Sequence, residues 1–344
     1  MLSRVANSVY WMCRYIERAE NVARFINANL NLSLDLMPGS DEQWEPLVRT
    51  TVDLPLFQAR HDEANRANVI DFLAFDRANP NSIISCLNAA RENARGVRDA
   101  ISSEMWEQVN TFYLFVAGAS YADLVKEDSY TFFNRVKMQS HLFNGVSQAT
   151  MSHGEAWHFG ELGRQIERAD KTCRLLDVKY FILLPSVNEV GSPLDTLQWR
   201  ALLKSASAFE MFKKRHGSIS PRKVAEFLIL DREFPRAISH CLGSAQESLH
   251  AITGSAVGTF TSPPEQLLGV LCSQLNFGRI DEIIAFGLHE FLDNTLAQLN
   301  LVGDAIHESL FAVRPVKDLD THRRSSMNSG TNPGAMSQVS GGAE

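Results

Sequence analysis

The chain has 344 residues, enough for one large apolar core or two domain-sized ones. Its 44% hydrophobic and 21% charged residues make an ordinary globular composition and exclude wholesale disorder. A formal net charge of -7 argues against a nucleic-acid surface, because neutralising phosphates takes a clustered basic excess.

Taken in chain order, Met1 to Tyr10 lacks a charged segment followed by an apolar run, so no secretory signal is expected. Val5, Val9, Met12, Ile16, Ala19, Ala23, Ile26, Leu30 and Leu34 step by four and three. This is one apolar stripe on a helix of about 45–50 Å, at roughly 1.5 Å per residue. Pro38–Gly39–Ser40 reads as a loop. Pro80 suits the first turn of a helix running to about Ser103, followed by helices over Glu104–Tyr121 and Tyr130–Thr150. Phe159, Leu162, Ile166, Ala169, Cys173, Leu176, Tyr180 and Leu184 form a second stripe, ending at a loop from Pro185 to Pro193. Lys213–Lys214–Arg215–His216 reads as a helix C-terminus stopped by Gly217, since cations there face the exposed carbonyls. Pro235 opens a helix to about Thr253, and Pro264–Leu310 is helical throughout. Beyond Pro315 the chain is polar and without apolar period, so residues 315–344 are expected to be a disordered tail.

Repetition organises these elements. Arg14–Tyr15–Ile16–Glu17–Arg18–Ala19–Glu20 is matched by Arg164–Gln165–Ile166–Glu167–Arg168–Ala169–Asp170, and Arg24 by Arg174, all 150 positions later (164 − 14). Gln43–Trp44 matches Gln198–Trp199 at 155 (199 − 44). At the same offset Phe72-Leu73-x-x-Asp76-Arg77-x-x-Pro80-x-x-Ile83-x-x-Cys86-Leu87 matches Phe227-Leu228-x-x-Asp231-Arg232-x-x-Pro235-x-x-Ile238-x-x-Cys241-Leu242. Three blocks in one order, separated by one loop-sized slip, predict two tandem helical units, 1–150 and 151–314, within one all-α long-helix bundle. The expected core includes Trp44 and Trp199. Five cysteines, Cys13, Cys86, Cys173, Cys241 and Cys272, are an odd number without close pairs. They read as small core residues in a reducing compartment, not a disulfide frame or a zinc site. The longest apolar runs, such as Tyr180–Pro185, are too short to span a membrane, and a cytoplasmic location is expected.

The candidate functional residues flank the stripes. Glu17, Glu20 and Arg24 form one helical line, and Arg14, Arg18 and Asn21 the next; Glu167, Asp170, Arg174 and Arg164, Arg168, Lys171 repeat them. One reading is a solvated flank with i,i+4 pairs such as Glu20–Arg24 and Asp170–Arg174. The other is a charged network at the junction of the two units, either structural or ligand-binding. Asp76–Arg77 and Asp231–Arg232 read as structural corners, or as arginines that join the first set around an anionic ligand. Two Glu-x-x-His sequences, Glu155–His158 and Glu247–His250, are reminiscent of ferritin-like carboxylate sites. They are not equivalents in the repeat, so no metal and no cofactor is expected.

At Ile16–Glu17–Arg18 and Ile166–Glu167–Arg168, and over Leu2-Ser3-Arg4-Val5-Ala6-Asn7-Ser8-Val9-Tyr10-Trp11, the sequence resembles the bacterial alpha-E family, named for a helical domain with a Glu-Arg motif. The resemblance covers about residues 1–312. Members are commonly encoded beside a circularly permuted ATP-grasp protein and a transglutaminase-like protein. The resemblance therefore implies a place in an amide-forming or peptide-modifying system, as a helical partner not catalytic alone. It supplies no catalytic residues. The rivals are an enzyme or binding protein that holds an acidic small molecule or peptide on paired Glu and Arg, and a helical metalloprotein.

Overall fold

In the computed structural model, residues 1–35, 44–51, 53–126, 128–182 and 193–312 are described. The loops expected at Pro38–Ser40 and ahead of Pro193, and the tail from Pro315, lie outside them. The first half comprises α1 (Ser3–Asp35), α2 (Glu45–Thr50), α3 (Leu54–Gln58), α4 (Arg66–Ala74), α5 (Ile83–Arg95), α6 (Ser103–Ala117), α7 (Tyr121–Lys126) and α8 (Ser129–Thr150). The second comprises α9 (Glu155–Ile182), α10 (Pro193–Ser205), α11 (Phe209–His216), α12 (Pro221–Leu230), α13 (Ile238–Thr253), α14 (Pro263–Phe277), α15 (Ile280–Phe286) and α16 (Leu288–Ile306), closed by a π-helical turn, His307–Phe311. No strand occurs among the described residues, and none of their helices is long and apolar enough to cross a membrane.

Local chemistry sets the helix boundaries, and several differ from expectation. Ser82 accepts the Ser85 N–H and Ser102 the Met105 N–H, so these serines start α5 and α6, and Pro80 does not open α5. Pro80 and Pro235 instead lie in turns before α5 and α13, where their carbonyls accept from the Cys86 and Cys241 thiols at 3.8 and 3.5 Å. Gly96 ends α5, well short of Ser103. The stretch from Pro264 to Leu310 is three helices rather than one. It breaks at Gly278, whose backbone is extended, and at Gly287, whose φ of 113° disfavours side-chain-bearing residues. Gly217 stops α11 after its basic last turn, as expected.

Two apolar clusters result. One gathers Met12, Ile16, Trp44, Phe72, Leu87, Phe112 and Phe133 of the first half; the other gathers Leu162, Ile166, Trp199, Phe227, Leu242 and Leu292 of the second, with Ala6 and Tyr10 of α1. All five cysteines are buried and free. Burial pushes the Cys86 and Cys241 thiols up to about 12, which keeps them un-ionised. Phe57 stacks on His61, and Phe212 on His216, 155 positions later. Residues Met1–Phe311 form one compact unit.

The two clusters meet where α1 packs along α9. Connections cross this seam: α2, which follows α1, packs on α9, and α10, which follows α9, packs on α1. Small residues let the two long helices approach. A Cβ on Gly163 would run into the Tyr10 carbonyl, and one on Gly160 would lie 3.0 Å from Cys13 Sγ. Backbone cannot give way as a side-chain tip can. Gly163→Ala is therefore expected to push α1 off α9 and cost about 1–3 kcal/mol of unfolding free energy by urea titration. A variant as stable as the parent would show that the seam is not closely packed there.

Candidate functional site

The seam is apolar at Gly160 and Gly163 and charged along the Glu-Arg segments. Glu17 is 1% and Glu167 0% exposed, so neither lies on a solvated flank. Each carboxylate is held across the seam by the arginine of the other motif. Arg168 donates from Nε and Nη2 to the two oxygens of Glu17 at 3.0 and 2.8 Å. Arg18 donates from the same two nitrogens to Glu167 at 2.7 and 3.0 Å. These are two reciprocal guanidinium–carboxylate forks, the geometry that makes such pairs strong and directional.

Further groups complete each fork. On the Glu167 side, Arg14 Nε donates at 2.9 Å and Lys171 Nζ lies at 3.3 Å, while Arg18 Nη1 reaches Asn81 at 2.9 Å. Arg14 also lies over the Trp11 ring, 4.7 Å from its centroid. On the Glu17 side, Arg236 Nη1 donates to Glu17 at 3.0 Å and to Asn21 at 3.2 Å, while its Nη2 donates to Glu20. Glu20 also receives Arg24 at 2.8 Å and the Ser140 hydroxyl at 2.6 Å. Asp170 accepts Arg174 at 3.0 and 3.1 Å and Lys171 at 2.8 Å. Arg164 leaves the seam for Asn144, at 2.6 Å, and Glu161.

Electrostatics follow from these contacts. Burial pushes the Glu167 carboxyl up, but Arg18, Lys171 and Arg14 together hold it well below the usual range. Glu17 is likewise lowered against its burial by Arg168 and Arg236, and Glu20 by Arg236 and Arg24. For Asp170, Lys171 and Arg174 win against burial. All four are held as carboxylates. Arg24, only 3% exposed, is pushed down to about 10 by burial and by Arg236.

The structure thus brings Arg14, Glu17, Arg18, Glu20, Arg24, Glu167, Arg168, Asp170 and Arg174 to one seam, with Arg164 at its edge. Asp76, Arg77, Asp231 and Arg232 lie apart from it. Asp76 accepts the Ala78 N–H at 2.9 Å and pairs with Arg60, while Asp231 accepts two backbone N–H groups at 2.8 Å and pairs with Arg215. Arg77 is exposed, and Arg232 donates to the Asn276 carbonyl at 2.6 Å. The expected contribution came instead from Arg236 and Asn81, which are 155 positions apart. Their signal was a polar residue directly after the turn proline at equivalent places in the two halves. The Glu-x-x-His residues are scattered: Glu155 binds the Met1 ammonium at 2.7 Å, and His250 Nδ1 lies 2.7 Å from Ser255 Oγ. No group of three or more His, Cys, Asp or Glu placed to hold a metal ion occurs among the described residues.

An all-α domain whose long helices are joined by reciprocal Glu–Arg forks is what these features define. The chain belongs to the Alpha-E family, described as a predicted alpha-helical domain with a conserved ER motif, whose model matches residues 1–311. It is also similar to a protein of Mycobacterium bovis, 24% identical over 352 aligned positions, and to proteins of two Mycobacterium tuberculosis strains at 24% and 23%. All three carry the name uncharacterized protein. The alignments cover 96% of this chain but only 38% of each relative, so the chain spans well under half the length of the curated relatives it matches. No solved structure matches.

Proposed function

We propose that the protein is a helical accessory partner of an ATP-grasp-type amide or peptide ligase, with its Glu-Arg motif serving as an internal clasp. The observation that carries this reading is an uncovered apolar groove between α14 and α16. It measures about 320 Å³ and is lined by Leu267, Val270 and Leu301 among glutamines. Val270 and Leu301 are more than half exposed, and Phe277 at the end of α14 is 87% exposed. Contiguous exposed apolar surface with a polar rim marks association sites in soluble proteins. In the mycobacterial relatives the matched region is 38% of a longer chain, so there it stands beside additional polypeptide. The resemblance to a family encoded beside ATP-grasp and transglutaminase-like proteins supplies the kind of partner.

The clasp chemistry weighs against the enzymatic rival. A general acid needs a carboxyl tuned upward, and pairing with arginine moves Glu17 and Glu167 the other way. Native mass spectrometry of the chain co-expressed with an ATP-grasp protein of the kind encoded beside family members is expected to show a stoichiometric complex. The double substitution Val270→Glu and Leu301→Glu is expected to dissociate it while changing stability by no more than about 0.5 kcal/mol, as for surface sites generally. If the two proteins run separately at micromolar concentration, with and without ATP, the partner reading is wrong.

A further inference from the structure

A second feature of the molecule lies at the Arg24 end of the seam, beyond the two reciprocal forks. There α1, α8, α10 and α11 enclose a cleft of about 350 Å³, within the range of small-molecule sites. Its lining includes Arg24, Asn27, Tyr130, Lys137, Lys204 and Ser207. Glu210, on the exposed rim, is the acidic residue among the lining groups.

Three independent observations concern what the cleft lacks. The first is charge. Glu17 and Glu20 are two carboxylates facing three guanidinium groups, those of Arg168, Arg236 and Arg24. Lys137 and Lys204 add two ammonium groups, neither of which has an ion pair among the described residues. Burial together with Arg24 and Arg236 pushes Lys137 down to about 8, the behaviour of a cation among cations. The second is a hydrogen-bond deficit. Asn27 is 3% exposed, and neither its amide nitrogen nor its oxygen has a partner. Buried polar groups in folded proteins are paired as a rule, and each orphan costs about 1–3 kcal/mol. The third is backbone geometry. Ser207, whose hydroxyl receives Arg24 Nη1 at 2.5 Å, has a φ of 51°, a conformation that non-glycine residues seldom adopt.

Arg24 itself is largely committed: Nε and Nη2 reach Glu20, Nη1 donates to the Ser205 carbonyl and the Ser207 hydroxyl, and Nη2 lies 3.0 Å from His141 Nε2. It contributes positive potential to the cleft, and direct contacts fall to Asn27, Lys204 and Lys137, the last lying over the Tyr130 ring at 6.0 Å from its centroid. We propose that this cleft binds a small molecule carrying a compact oxyanion, a carboxylate or a phosphate group, with Lys137 and Lys204 as its counter-ions and the Asn27 amide donating to it. The oxyanion supplies the missing negative charge and the missing acceptor together. Because the groove between α14 and α16 shares no residue with this cleft, ligand binding is a property of the isolated chain.

Isothermal titration of the full chain, without any partner protein, tests this with three probes: glutarate, inorganic phosphate and the neutral glutaramide. Saturable binding of glutarate or phosphate but not of glutaramide is expected, and whichever anion binds more tightly identifies the oxyanion. Lys137→Ala and Lys204→Ala should each weaken it by about tenfold. Lys137→Arg should retain it, and Asn27→Asp should abolish it. Both lysines are at least partly exposed, so their variants are expected to fold, and far-ultraviolet circular dichroism checks this. Absence of saturable binding of either anion at millimolar concentration overturns the proposal, as does undiminished binding to the folded alanine variants or equal binding of glutaramide. Since no partner is present, none of these results bears on the ligase complex, and loss of that complex leaves them untouched.

Discussion

Glu17→Ala is expected to lower the free energy of unfolding by about 3–5 kcal/mol, the cost of breaking a buried ion pair from one side. Glu17 is 1% exposed, and its removal takes both fork contacts from Arg168 and one from Arg236. The guanidinium groups left behind are mostly buried: the Arg168 side chain is 12% and the Arg236 side chain 9% exposed. Neither can recover full hydration without opening the contact between α1 and α9. Burial, rather than the chemistry of the pair, sets this magnitude, and the molecule carries its own control. Arg222 and Asp281 make an equally well-formed fork at 2.8 and 2.9 Å, but their side chains are 48% and 61% exposed. Asp281→Ala is accordingly expected to cost far less than Glu17→Ala, because water screens the exposed pair and rehydrates the guanidinium left behind. Urea titrations of both variants measure the contrast. Equal losses would mean that the seam behaves as open surface.

The second large effect is acid sensitivity. In the folded protein Glu17, Glu20, Glu167 and Asp170 are all held below their ordinary values, because their basic partners outweigh burial. Unfolded Asp and Glu titrate near about 3.9 and 4.3. The unfolded chain therefore binds protons first as the pH falls, and stability declines with it. The contribution of these four groups is fully present above about pH 5 and is lost as the pH drops through the unfolded values toward the lower folded ones. Urea midpoints at pH 7, 5, 4 and 3 are expected to show a loss concentrated below about 4.5. The double variant Glu17→Gln with Glu167→Gln, already weakened at pH 7, should lose less on acidification. A parent and variant with parallel pH profiles would exclude the seam as the source of the acid sensitivity.

Periodicity made much of the fold legible. The apolar stripe of α1 and the block around Phe72 and Phe227 are read directly from side-chain spacing, since an amphipathic helix must bury one face. Helix boundaries were less legible near Pro80 and Pro235. At Pro80 a proline and a capping serine two residues later both signal a start, and the Ser82 side chain makes the bond that decides; at Pro235 the residue two later is Ala237, which caps α13 through backbone alone. In Pro264–Leu310 the apolar pattern runs on across Gly278 and Gly287, so the breaks are set by backbone conformation, which the pattern does not register. In the site, the Glu and Arg lines were visible as lines beside the stripe. What they face was not, because the partners are 149 and 151 residues apart in sequence and meet only through packing of α1 on α9. Arg236 and the cleft beside Arg24 were hidden for the same reason: each depends on elements from both halves.

A double-mutant cycle between Glu17 and Arg168 measures whether the Glu-Arg motif is an interhelical clasp. Unfolding free energies of the parent, Glu17→Ala, Arg168→Ala and the double variant, measured in urea at pH 7, give the coupling without the losses peculiar to either single change. A coupling of at least about 1.5 kcal/mol is predicted, because the second substitution removes a charge that the first has already orphaned. Additivity to within about 0.5 kcal/mol would mean that the motif is not a clasp, since the two residues then do not hold one another across the seam.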